Sequence, residues 1–155
     1  MKKIRISSTS YLFPSETSWD ILKKKYDTSF SEIGALFDFK KKTFTHEIIF
    51  FFLPDILEYN DLNKDNFSKN KVKIETFLKK FKTYLKKNTN NIIFAYSEFL
   101  FNNQIKFSRN IRYSLEIKNY LSKEINKLVL NHKNIYRVDL DYLFGNYGFK
   151  KIYSN

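Results

Sequence analysis

Four hydroxyl residues in succession, Ser7, Ser8, Thr9 and Ser10, follow an alternating apolar stretch near the start of the chain. Many α/β hydrolases place a nucleophile where a first strand runs into such a loop, and Ser8 is the residue that would attack an ester carbonyl. A serine nucleophile also needs a base, usually His, within hydrogen-bond reach. The chain has two histidines, His46 and His132, and each precedes an apolar run. Both are therefore expected at the amino ends of strands, the wrong edge of a sheet for a base. The cluster is expected to form a polar turn that caps backbone groups, with Ser7 and Thr9 beside Ser8 at the ligand edge.

A second cluster lies in residues 135–143, IYRVDLDYL, an apolar stretch followed by Asp139 and Asp141. Two carboxylates at this spacing could hold Mg²⁺. The stretch is also similar to the start of a haloacid-dehalogenase phosphatase motif, in which one aspartate is the nucleophile and a second works as acid and base. That motif has Thr or Val two residues after its second Asp, where this chain has Leu143. The same DLD could be taken for a glycosyltransferase metal site. The expected role of Asp139 or Asp141 is instead the N-cap of a helix. Asp55 and Ser97 each follow an apolar run and complete the set of ligand-edge candidates.

Other chemistries find no support. The three glycines, Gly34, Gly145 and Gly148, do not follow the first strand, so no phosphate-cradling loop is expected. The absence of Cys excludes disulfides and thiolate metal sites. His46 and His132 are too isolated to suggest zinc. Neither a metal nor a cofactor is expected.

The element that must position these residues is the stretch 47–55, EIIFFFLPD. Its six consecutive apolar residues read as a strand covered on both sides, the middle of a parallel sheet. Pro54 lacks an N–H and fits where the ladder stops, which leaves Asp55 at the carboxyl edge. Residues 3–8 predict a first strand, and Thr17 or Ser18 can cap a helix to about residue 26. Residues 30–39 predict a weaker strand, interrupted by Gly34 and expected at the sheet edge. A polar connection over 58–66 precedes a helix over 68–87, in which Ile74, Phe77, Leu78, Phe81 and Leu85 form one apolar stripe. Residues 92–96 predict a strand and 99–107 a loop. A helix from Asn110 carries Ile117, Leu121, Ile125 and Leu128 on its buried face. Residues 135–138 predict the last strand, followed by a short helical turn over 140–144 that Gly145 and Gly148 release.

The alternation predicts an α/β fold with three layers. It would hold a mostly parallel, flavodoxin-like sheet of about five strands with helices on both faces. A single domain over 1–155 is expected. The net charge of +12 invites a nucleic-acid reading. The basic residues nevertheless come in scattered short runs, and abundant Lys, Asn, Ile, Phe and Tyr fit the bias of an AT-rich genome. Nucleic acid is therefore not the expected partner. The longest apolar run is far short of the ~20 residues needed to span a bilayer. The amino-terminal residues do not form a signal-peptide core, so a cytoplasmic location is expected.

The stretches HEIIFFFLPD, IIFAYSEFLFN and NIYRVDLDYLFGNYGFKKIYSN, in that order, resemble the N-terminal domain of FkbH-like proteins. That domain is similar to an SGNH-hydrolase fold and precedes a haloacid-dehalogenase-like catalytic domain. The resemblance implies a place in a polyketide or surface-glycan pathway. It also implies a phosphatase-like domain or an acyl carrier protein as partner. Against the SGNH pattern, Ser7-Ser8-Thr9 stands where Gly-Asp-Ser is usual, and Asn60-Asp61 lack the glycine of the Gly-x-Asn-Asp block. The Asp-x-x-His block has no counterpart. Only Ser8 carries over as a nucleophile position, so a module with little chemistry of its own is expected, ahead of an esterase or acyltransferase using Ser8. The apolar tail residues Phe144, Tyr147, Phe149, Ile152 and Tyr153 are expected to meet a second copy of the chain or a separate catalytic domain.

Overall fold

The structure is a computed structural model, and it describes residues 2–9, 16–30, 36–37, 44–57, 64–97 and 111–147. Five strands make one sheet: β1 (Lys3–Ser8), β2 (Asp27–Phe30), β3 (His46–Phe52), β4 (Asn91–Ser97) and β5 (Ile135–Asp139). Every neighbouring pair is parallel and the order is β2-β1-β3-β4-β5. The strand expected at the centre is at the centre, and the order is the flavodoxin-like one. The helices are α1 (Glu16–Lys25), α2 (Lys64–Lys87), α3 (Ile111–Asn131) and α4 (Leu140–Tyr147), with a 3₁₀ turn at Leu53–Ile56.

The chain divides into two compact units. The first, Met1–Phe52 with Asn90–Ser97 and Asn134–Asn155, holds the whole sheet, α1 and α4. Its core follows the register of the central strands. Phe51 stands beside Tyr96 and Ile49 beside Phe94, and all four are buried. The Phe51 and Phe94 rings stack with centroids 5.7 Å apart, and Phe94 and Tyr96 at 6.2 Å. Burial of each such ring stabilises the fold by about 1.5–3 kcal/mol. α4 packs on β4.

The second unit, Leu53–Thr89 with Glu98–Lys133, holds the 3₁₀ turn, α2 and α3. The expected stripe on α2 is buried, from Ile74 to Leu85, and so is Ile117, Leu121, Ile125 and Leu128 on α3. Phe67 meets Tyr113, Lys71 lies over the Tyr120 ring, and Lys82 pairs with Glu124. Residue numbers rise together along this seam, so the two helices run side by side in the same direction.

Four expectations need correction. β3 is not covered alike on both sides: Glu47, Ile49 and Phe51 are buried, while Ile48, Phe50 and Phe52 are half-buried. An unbroken apolar run shows that no face is polar, but it does not make the two faces equally dry. β2 occupies Asp27–Phe30, just ahead of the predicted 30–39, most of which lies outside the described residues. Its position at the sheet edge agrees with the expectation. α2 begins at Lys64 rather than 68, because its first turn, with Asp65 near the positive helix end, has a single apolar residue, Phe67, and so shows no period. α4 runs through Gly145 to Tyr147, since a glycine weakens a helix without ending it. The expected loop over 99–107, residues 148–155 and the side chains of Phe144 and Tyr147 lie outside the described residues.

Candidate functional site

The carboxyl ends of parallel strands expose backbone groups that no later residue pairs, which is why such sheets bind ligands there. Ser8 closes β1 beside Phe50 of β3, and Ser97 and Asp139 close β4 and β5. Asp55 lies in the 3₁₀ turn after β3 and is exposed. The ends of β1, β4 and β5 therefore carry Ser8, Ser97 and Asp139.

Most of these side chains serve the scaffold. Successive strand residues point to opposite faces, so Ser7 and Ser8 cannot share a site. The Ser7 hydroxyl donates to Glu47 Oε1 at 3.2 Å, and Arg5 Nε lies 3.7 Å from the same oxygen. Arg5 and Glu47 are register partners on β1 and β3, at 8% and 1% exposure. Thr9 extends the ladder: its N–H donates to the Phe50 carbonyl at 3.0 Å, and its hydroxyl oxygen accepts from the Phe52 N–H at 2.9 Å. The Thr9 hydroxyl thus takes over the backbone group that β1 leaves unpaired as it ends.

The two aspartates divide between two structural tasks. Asp139 Oδ1 accepts from the Tyr142 N–H at 3.0 Å, the N-cap of α4. Its other oxygen lies 3.4 Å from Arg137, whose guanidinium sits 4.6 Å over the Tyr96 ring. Asp141 Oδ1 instead accepts from the Ser97 hydroxyl. The structure therefore brings Ser97 and Asp141 together, and it gives Asp139 the capping role that helix chemistry predicts. Among the described residues no group of three His, Cys, Asp or Glu is arranged to hold a metal ion.

His46 opens β3, four register steps from Ser8 and Phe50. At about 3.3 Å per residue that separates it from Ser8 by roughly 13 Å. Its Nδ1 lies 3.0 Å from Thr45 Oγ1. His132 follows α3 and its Nδ1–H donates to the Leu128 carbonyl at 2.9 Å. Ser8 at the carboxyl edge is thus far from the one histidine on its own sheet.

Arg5 and Glu47 are the residues that sequence reasoning missed. The signal was present, because an ionic residue inside each of two apolar strands implies a partner. It could be read only with the register that sets position 5 beside position 47.

No protein-family model matches the chain, and no curated protein does. A solved structure of the N-terminal part of the protein BF1531 from Bacteroides fragilis, which contains a phosphatase domain and is complexed with Mg, is similar in fold. The TM-score is 0.62 at 15% identity, over 95% of this chain. The chain spans 42% of the length of that structure. This likeness bears out the three-layer α/β fold class. No helix among the described residues is long and apolar enough to cross a membrane.

Proposed function

We propose that the chain supplies an SGNH-like α/β module to an FkbH-like biosynthetic system, in a polyketide or surface-glycan pathway. In this reading it holds a partner in place and carries little chemistry itself. The observation that supports it most is the fold likeness, over nearly the whole chain, to part of a protein that contains a phosphatase domain. The partner would accordingly be a phosphatase-like domain or the acyl carrier protein on which such a domain acts.

The sheet edge supports a scaffolding role over catalysis. Thr9 and Asp139 complete the ends of β1 and β5, and Ser97 and Asp141 tie β4 to α4. Ser8 has the position of a nucleophile, but His46 stands at the opposite end of the strands.

Binding to a purified FkbH-like phosphatase domain, measured by calorimetry, tests the reading. Saturable one-to-one binding supports it. Failure to bind either that domain or an acyl carrier protein would overturn it, as would ester hydrolysis that depends on Ser8.

A further inference from the structure

The positive charge that looked scattered along the chain gathers on one element. α2 carries nine lysines in 24 residues, against the acids Asp65 and Glu75. A solvated helix is ordinarily steadied by acids three or four positions from its lysines. Lys79 has Glu75 at that spacing, but Lys82 and Lys86 have only like-charged or uncharged neighbours there, Lys79 and Lys86 for the first and Lys82 for the second. These three lie on the α2 side of a groove of about 440 Å³, whose α3 side is formed by Tyr120 and Glu124.

The carboxylate on the far wall offsets only part of this charge. Glu124 is already shared between Lys82 at 3.3 Å and Lys127 at 2.6 Å. Three lysines, Lys79, Lys82 and Lys86, thus line the groove with two acids, Glu75 and Glu124, and Lys127 takes up part of the Glu124 charge. Leu78 and the half-buried Tyr120 give the groove an apolar floor.

We propose that this groove between α2 and α3 binds a phosphorylated small molecule, with the lysines on its phosphate groups and its organic part against Leu78 and Tyr120. The dimensions favour a discrete ligand. The volume falls within the ~300–1,000 Å³ of small-molecule sites. From Lys79 to Lys86 the row is about 10 Å long, at 1.5 Å per helical residue. Glu75 stands one turn before Lys79 and lines the same groove, so a continuous polyanion would have to pass a carboxylate. The proposal does not depend on the function proposed above.

The test is calorimetric titration of the whole chain with inorganic pyrophosphate, then with a nucleoside diphosphate, at low salt. Pyrophosphate is expected to bind, and the nucleoside diphosphate more tightly. The double variant Lys79→Gln/Lys86→Gln should weaken both at least tenfold while its circular dichroism stays native. Lys73→Gln/Lys80→Gln removes equal charge from the other flank of α2 and should leave affinity unchanged. Absence of pyrophosphate binding, equal losses in the two variants, or tighter binding of a single-stranded oligonucleotide would each overturn the proposal.

Discussion

The Ser97 hydroxyl, on the last residue of β4, donates to Asp141 Oδ1, on the second residue of α4, at 2.5 Å. Through this bond α4 is held to the strand beside the one it follows. Asp139, two residues earlier, fixes the start of the same helix.

Asp139→Ala should therefore lower stability by about 0.5–2 kcal/mol, the usual cost of a lost N-cap, and Asp139→Asn by only a few tenths. Urea unfolding of the two variants checks this. Equal losses would mean that the Arg137 pair, not the cap, is what Asp139 contributes.

Ser8→Ala should leave the rate of hydrolysis of short acyl esters unchanged from that of the unmodified protein. His46 is about 13 Å away along the strands, beyond direct proton transfer. A reproducible activity that falls a hundredfold in the variant would restore Ser8 as a nucleophile.

Glu47→Ala leaves Arg5 buried without its register partner, and removing one member of a buried pair costs about 3–5 kcal/mol. Ser7→Ala removes a hydroxyl from the same carboxylate and should cost nearer 1 kcal/mol. Chemical denaturation should rank the two in that order.

Phe51 has 0% exposure in the central strand, so Phe51→Asp should unfold the protein. An unpaired buried charge costs several kcal/mol, comparable with the ~5–15 kcal/mol that holds a whole domain together. A soluble variant with an unchanged melting temperature would contradict this.

Lys127, through a hydrogen bond, holds the Glu124 carboxyl below its ordinary value of 4.5, with Lys82 adding to the effect against the cost of burial. A carboxyl depressed in the folded state contributes stability above its unfolded pKa and loses it as pH falls through the folded one. Stability of the unmodified protein should thus exceed that of Glu124→Gln by a constant margin above about pH 5.5, narrowing as pH drops below 4.5. Urea midpoints measured across this range give the margin directly.

The fold was legible wherever burial leaves a period in the residues. The run at 48–53 gave the centre of the sheet, and the stripes on α2 and α3 gave two long helices. Legibility failed where polar residues form regular structure. The first turn of α2 has one apolar residue, Phe67, too little to show a period, and β2 begins with Asp27-Thr28-Ser29 and holds its place by pairing with β1. At the sheet edge, strand ends placed Ser8, Ser97 and Asp139 in advance. Which hydroxyl meets which carboxylate depends on residues about 40 positions apart, Ser7 with Glu47 and Ser97 with Asp141, and no local pattern encodes that.

An all-parallel sheet also has a kinetic consequence. Two neighbouring strands here cannot zip together from a tight turn, because parallel partners require a crossover between them. Thr45, at the entry to β3, reaches back 42 residues to the Lys3 carbonyl beside it. The chain must close such loops before the central contacts reward it, and refolding should take milliseconds to seconds rather than the microseconds of a hairpin. During that interval the apolar run of β3 is the segment most open to pairing with another molecule.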